Sequence, residues 1–203
     1  MEFDERLAHP SQPFLVLEEG KRRDLLVGAP HHAPAGVENL PGRVSDENAG
    51  YLACYLAKQL GCTSVVMVNG VGDPNKSWDT EYAMAISARE PRLLLEIHGH
   101  GGRSAWADVE ISAGSREREH DAIQLAEELK KQMQQYAPLK ELSVAGAWDR
   151  IHFTATKAVT INTDRWRSLH LELPAALRIE GEGKLPPEAG YLFCDALAVA
   201  LGG

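Results

Sequence analysis

Short apolar runs alternate with longer segments of helical periodicity along this chain of 203 residues. The runs are rich in leucine, isoleucine and valine, which is typical of buried strands. The longer segments carry apolar residues at the spacing of one helix face. We expect strands over 14–17, 25–27, 63–68, 108–112 and 168–173, a central strand from residue 92, and a strand or hairpin over 151–161. We expect helices over 45–60, 80–89, 115–136 and 187–201.

This alternation of strands and helices predicts the class of fold. Strands that alternate with helices build α/β domains, in which helices cover both faces of a parallel sheet. No internal repeat, low-complexity tract or interdomain linker interrupts the pattern. Residues 1–203 are therefore expected to form a single-domain three-layer α/β/α fold with a mixed, largely parallel sheet.

The central strand ends in histidines. Residues 92–102 read Arg-Leu-Leu-Leu-Glu-Ile-His-Gly-His-Gly-Gly. Because side chains alternate along a strand, Glu96, His98 and His100 are expected to share one face. Ligands bind at the carboxyl edge of open α/β sheets, which is where these imidazoles should lie.

Two further segments bring metal-binding side chain types to the ends of predicted elements. The strand over 25–27 runs into His31 and His32, and Asp46 and Glu47 stand where a helix is expected to begin. A catalytic zinc takes three protein ligands, often two histidines and one glutamate, and keeps an open position for water. The residues alone leave open which histidine and which carboxylate would bind.

Glu172 is a candidate general base. In the strand over 168–173, three leucines face one side, whereas His170 and Glu172 face the other. A carboxylate at the end of such a strand could take the proton from a water molecule. The simpler interpretation is an exposed strand face on which Glu172 forms an ion pair with Arg165 or Arg178.

Charge and composition limit the partners of the chain. The net charge of −8 and the isoelectric point near 5.5 argue against a nucleic-acid partner, because no broad basic face is available. A small anionic substrate in a local basic pocket is compatible with this charge. No apolar run reaches membrane length and no secretory signal pattern stands at the start, so we expect a cytoplasmic protein without membrane contact. Cys54, Cys62 and Cys194 fit neither a disulfide framework nor a structural zinc cluster.

Taken together, these residues resemble the N-formylglutamate amidohydrolases and, more remotely, the zinc carboxypeptidases and aspartoacylases. The matching motifs, in the family's order, are Ala29-Pro30-His31, Ser45-Asp46-Glu47, Asp73-Pro74-Asn75-Lys76, Glu96-Ile97-His98-Gly99 and Leu171-Glu172-Leu173. The resemblance implies a phosphorylase/hydrolase-like fold and a zinc ion held by His31, Glu47 and His98. It also implies that Glu172 is the base and proton shuttle and that Asn75 contacts the substrate carboxylate.

The chain departs from this family at two of the matching motifs. Lys76 replaces the family's arginine, and a lysine meets a carboxylate as a point charge rather than through a bidentate fork. His31 is followed by His32, where family members more often have a small residue, so His32 is an alternative ligand or a substrate contact. The candidate substrate-binding residues are Asn75, Lys76, Arg103, Arg150, His32 and His100.

Three functional hypotheses follow from the resemblance and the departures. The leading one is a zinc-dependent amidohydrolase that cleaves the amide bond of an N-acyl amino acid, such as N-formylglutamate, or of a small peptide. The second is a poly-γ-glutamate or γ-glutamyl hydrolase with the same site. The third is a small-molecule-binding relative that has lost turnover.

Overall fold

The apolar runs form a mixed eight-stranded sheet in the part of the chain that the structure describes. This computed structural model describes residues 5–9, 12–36, 45–179 and 185–202. The strands are β1 (Phe14–Glu18), β2 (Arg22–Ala33), β3 (Asp46–Glu47), β4 (Cys62–Val68), β5 (Leu93–His100), β6 (Val109–Ser112), β7 (Val144–Ala145) and β8 (Arg167–Pro174). The α-helices are α1 (Ala49–Leu60), α2 (Glu81–Ser87), α3 (Glu119–Met133), α4 (Ala175–Arg178) and α5 (Glu188–Ala200).

The order of the strands gathers several carboxyl ends at one edge of the sheet. The order is β1-β4-β2-β5-β8-β6-β7, and β3 pairs with the end of β2. The central strands β4, β2, β5 and β8 are parallel to their neighbours in this group, whereas β1 and β6 run antiparallel to β4 and β8. The carboxyl ends of β2, β5 and β8 therefore lie side by side, which is where ligands bind in such sheets.

Helices cover both faces of the sheet, which confirms the predicted α/β class. One face packs against α1, α3 and α5, and the other packs against α2 and the segment 158–166. The alternation in β8 follows this division, because its three leucines join the core beneath α1, α3 and α5. His170 and Glu172 lie on the opposite face. Among the described residues, no helix has both the length and the apolar character to cross a bilayer.

Two predicted elements are corrected by the structure. Helix α1 begins at Ala49 rather than at Ser45, because Asp46 and Glu47 are extended and pair with His32 and Ala33 of β2. Asn48, which precedes the helix, has a left-handed backbone with φ of 61°. The sequence also favours a loop over 33–44, which carries Pro, Gly and Asn, and this segment lies partly outside the described residues.

The segment 151–161 is irregular rather than a strand or hairpin. Its backbone is held by a buried carboxylate instead of a neighbouring strand. Glu110 of β6 is fully buried and accepts four backbone N–H groups. Its Oε1 accepts from Trp106 and Ala107 at 2.6 and 3.3 Å, and its Oε2 accepts from His152 and Phe153 at 2.7 and 2.9 Å. Ile151, Ala158 and Ile161 of this loop are buried without strand pairing, so their burial does not reflect strand alternation.

Glu110→Gln should destabilise the fold, because an amide offers only one accepting oxygen and its NH₂ group would face two of the buried donors. We expect the free energy of unfolding to fall by about 1–3 kcal/mol, the cost of leaving buried polar groups unsatisfied. Urea denaturation measures the change. Glu127→Gln, at an exposed position of α3, is the matched control and should stay within about 0.5 kcal/mol of the wild type. Equal stabilities for the two variants would contradict the anchoring role of Glu110.

Candidate metal centre

Two histidines and one carboxylate converge at the carboxyl edge of the sheet. His31 comes from β2, Asp46 from β3 and His98 from β5. The Nδ1 atoms of His31 and His98 each lie 3.2 Å from Oδ2 of Asp46. All three side chains are buried, and their nearest ligand-type atoms lie within 4.8 Å of one another. This cluster could therefore hold a metal ion.

An irregularity in β2 selects His31 over His32. Ala29 and His32 pair with Val66 and Val68, so β2 takes three residue steps where β4 takes two. This register shift turns His31 away from the face packed against α1, α3 and α5, where Val27 and Ala29 lie, and towards Asp46.

His32 is turned into the core instead. Its Nδ1 accepts from the backbone N–H of Gly50 at 3.1 Å, and its Nε2 lies 2.9 Å from the carbonyl oxygen of Leu7. Burial lowers the pKa of His32 to about 4, so the ring is neutral and Nε2 donates to Leu7. The expected role of His32 as a substrate contact or alternative ligand is therefore corrected.

The strand conformation of β3 selects Asp46 over Glu47. Adjacent residues of a strand point to opposite sides, and here Asp46 points to the two histidines. The carboxylate of Glu47 lies 3.4 Å from the guanidinium of Arg178, which is buried and also donates to the backbone oxygens of Glu47, Leu173 and His100. Glu47, which the family resemblance implied as a ligand, is thus corrected to a partner of Arg178.

Each histidine of the cluster is supported by a second carboxylate. Nε2 of His98 lies 3.2 Å from Glu96, and Nε2 of His31 lies 2.8 Å from Asp73. Glu96 is fully buried and also accepts from Tyr82, Thr160 and Asn75. Outer carboxylates of this kind orient the imidazoles of metal sites, so both Nδ1 atoms are directed to the same centre.

A glycine makes room for this support. The hydroxyl group of Tyr82 lies where a Cβ atom of residue 28 would stand. Because Gly28 has no side chain, Tyr82 can reach Glu96 and donate a hydrogen bond to it.

The cluster carries charge in spite of its burial. Burial opposes ionisation of Asp46, but the hydrogen bonds from His31 and His98 outweigh it and hold the pKa of Asp46 well below its usual value. Burial likewise opposes protonation of His98, but Asp46 and Glu96 raise its pKa to about 10. Buried charges persist only when they are paired or coordinate metals. The donor set of two imidazoles and one carboxylate is also that of a catalytic zinc, so the residues present fit this ion.

Glu172 and His170 of β8 lie beside the cluster. Nε2 of His170 is 3.3 Å from Oε1 of Glu172, and the two residues form a second metal-capable group together with His98. Burial lowers the pKa of His170 far below its usual value and raises the pKa of Glu172 to about 7. Oε2 of Glu172 is buried and has no hydrogen-bond partner among the described residues. Glu172 is therefore not the exposed ion-paired residue of the simpler interpretation.

A cavity of about 390 Å³ opens above these residues. His31, Asp46, His98, His170 and Glu172 line its base, and the segment 152–158 forms one wall.

Of the residues expected to bind substrate, Asn75 and Lys76 line this cavity, whereas Arg103, Arg150 and His100 do not. Nε2 of His100 lies 2.8 Å from the carbonyl oxygen of Asp108, and the ring of His100 stacks on Phe153. The sequence proposed Arg103, Arg150 and His100 as substrate contacts, and the structure places all three outside this cavity.

Sequence reasoning missed several participants. Asp73 precedes the Pro74-Asn75-Lys76 motif, and its contact with His31 could not be read from that spacing. Glu96 and His170 share strand faces with His98 and Glu172, which was the available signal for both. Lys157 lies in the segment 151–161, whose alternation predicts a strand rather than a cavity wall.

The fold of this chain is similar to the folds of several solved structures. Neither a protein-family model nor a curated protein matches the sequence. A bacteriophage poly-γ-glutamate hydrolase matches the structure with a TM-score of 0.59 at 14% identity, over 94% of this chain and 88% of that chain. The zinc-free apo form of YNDL matches with a TM-score of 0.58 at 15% identity, over 98% of this chain and 94% of that chain. N-formylglutamate amidohydrolase from Ralstonia eutropha JMP134 matches with a TM-score of 0.55 at 15% identity, over 93% of this chain and 94% of that chain. At these identities, the similarity establishes the fold.

The variants Asp46→Asn and Glu47→Gln should show which of the two neighbouring carboxylates binds zinc. We expect Asp46→Asn to weaken zinc binding by more than about 10²-fold, beyond the loss that an outer-shell change typically causes. Glu47→Gln should bind zinc as the wild type does, because its carboxylate faces Arg178. Competition with a chromophoric chelator measures the affinity. A larger loss in the Glu47 variant would reverse the assignment.

His31→Gln and His32→Gln form a second matched pair. The first should lower zinc affinity by a similar factor, because glutamine has no ring nitrogen to offer. The second should keep zinc and lose stability, since His32 bridges Leu7 and Gly50 in the core. Zinc content per folded chain and thermal unfolding together distinguish the variants. Zinc lost at His32 and kept at His31 would contradict the role that the register shift assigns to each ring.

Proposed function

We propose that this chain is a zinc-dependent amidohydrolase that cleaves the amide bond of an N-acyl amino acid or a small peptide. One observation carries the proposal: the cluster of His31, Asp46 and His98 lies beside the buried carboxylate of Glu172 at the base of an open cavity. Similarity in fold to an N-formylglutamate amidohydrolase and to a poly-γ-glutamate hydrolase supports the same class of reaction.

His31, Asp46 and His98 would hold the metal. Their two nitrogen atoms and one carboxylate oxygen are the ligand types of catalytic zinc sites, and Glu96 and Asp73 would fix the outward nitrogens of the rings. When bound, zinc would supply Lewis acidity that polarises a carbonyl group and favours deprotonation of water. One of the structures similar in fold is the zinc-free form of its protein, which supports the choice of metal.

Glu172 would move the proton. Its Oε1 lies 3.3 Å from Nε2 of His170, whereas its Oε2 has no partner among the described residues and would accept the proton of the attacking water and return it to the leaving amine. The pKa of Glu172, raised to about 7 by burial, is near the value at which a group both takes and gives a proton at neutral pH. The neutral ring of His170 lies beside this carboxylate, with Nε2 3.3 Å from Oε1.

The substrate class follows from the cavity and from the similar enzymes. Lysines rather than arginines line the cavity within the described residues, which suits an anionic acyl-amino acid. The two similar hydrolases are both named for glutamate derivatives, so N-formylglutamate-like compounds are the first candidates. The similarity to a poly-γ-glutamate hydrolase favours γ-glutamyl peptides as the second candidates.

Glu172→Gln tests the chemical role directly. Glutamine keeps the size of the side chain but cannot take a proton, so kcat should fall by roughly 10²–10⁴-fold, the usual contribution of a positioned acid–base group. Zinc content should stay the same, because Glu172 is outside the proposed ligand set. N-formyl- and N-acetyl-amino acids and short γ-glutamyl peptides serve as substrates in a steady-state assay.

Glu127→Gln, at an exposed site, controls for the loss of one charge. A Glu172 variant as active as the wild type would refute the proton-transfer role. A zinc-loaded wild type that leaves every amide intact would favour a binding protein instead.

A further inference from the structure

Two lysines, Lys76 and Lys157, line the cavity above the metal cluster. No arginine of the described chain joins them there. The ring of His152 also reaches the cavity, but it packs edge-on against Trp106 and Phe153. A carboxylate entering the cavity would therefore meet one of the two lysine ammonium groups first.

Lys76 already has a carboxylate partner. Its Nζ forms an ion pair with Oδ2 of Asp73, and Oδ1 of Asp73 lies 2.8 Å from Nε2 of His31. The charge of Lys76 is thereby compensated within the protein. A substrate carboxylate would have to compete with Asp73, and winning that competition would disturb the support of His31.

Lys157 has no such partner within the described chain. It is exposed to the cavity, and no ion pair or hydrogen bond engages its ammonium group. Its backbone neighbours are nevertheless fixed, because Ala158 donates to Ala155 at 3.1 Å and Val159 donates to the backbone oxygen of Asn75 at 2.8 Å. The lysine thus extends from an anchored turn, which limits the part of the cavity that its charge can reach.

We propose that Lys157, rather than Lys76, recognises a free carboxylate of the substrate and so determines the preference of the site for anionic acyl-amino acids. The inference rests on the proposed amidohydrolase function and names its specificity-determining residue. An uncompensated ammonium group on an anchored loop meets the carboxylate at the cavity wall. The contact is made equally in the ground state and the transition state, so it acts on KM.

The test compares two substrates of the same shape, N-acetylglutamate and its diamide, in which both carboxylates are uncharged amides. In Lys157→Ala, KM for N-acetylglutamate should rise about tenfold, at the low end of a hydrogen bond to a charged group because the lysine is exposed. The kcat should change less than about twofold, and KM for the diamide should not change. Lys157→Arg should restore the preference for the carboxylate, because it restores the charge.

Two further variants complete the design. Lys76→Ala should keep the preference for N-acetylglutamate over the diamide, whatever its effect on overall rate. Lys58→Ala, at an exposed position of α1, controls for the loss of a surface charge. A preference lost in Lys76→Ala and kept in Lys157→Ala would overturn the inference and leave the amidohydrolase function intact.

Calorimetric binding of N-acetylglutamate separates this inference from the function on which it rests. An inactive wild type that binds N-acetylglutamate, with binding lost in Lys157→Ala, would refute the hydrolase proposal and support the carboxylate contact. An active wild type with the same KM in Lys157→Ala would refute the contact alone. An inactive wild type that does not bind N-acetylglutamate would overturn both.

Discussion

Ionised groups are buried at one edge of the sheet, and their need for partners shapes the surrounding chain. Asp46 lies between two imidazoles, and each imidazole has a second carboxylate behind it. An ionised carboxylate without partners would be very costly at this depth, so the surrounding chain must supply them. The register shift in β2, the extended β3 and the missing side chain of Gly28 each serve to bring those partners together.

Buried carboxylates also organise the irregular parts of the fold. Glu96 and Glu110 are fully buried on neighbouring parts of the sheet, and both accept hydrogen bonds from the segment between α3 and β8. This segment forms a wall of the cavity without pairing as a strand. The carboxylates of Glu96 and Glu110 therefore fix the position of this segment. They give the cavity a defined wall although the backbone there is irregular.

The site divides its tasks between the sheet and the loop. Residues of β2, β3, β5 and β8 supply the metal-capable cluster and the proposed proton carrier, and these rest on a rigid core. The loop supplies Lys157, the lysine that has no counter-charge within the described chain. Such a division allows substrate preference to change through the loop while the chemistry of the sheet edge stays the same.

Local sequence patterns were sufficient to predict the class of fold, the central strand that carries His98, and the strand that carries Glu172 opposite three leucines. These features follow from local periodicity, because burial of one strand face repeats every two residues. Tertiary contacts were needed to distinguish His31 from His32, Asp46 from Glu47, and a loop from a strand over 151–161. Each of these choices depends on register with a neighbouring strand or on a distant acceptor such as Glu110. A shift of one residue reverses the face of every side chain beyond it, and no local pattern records such a shift.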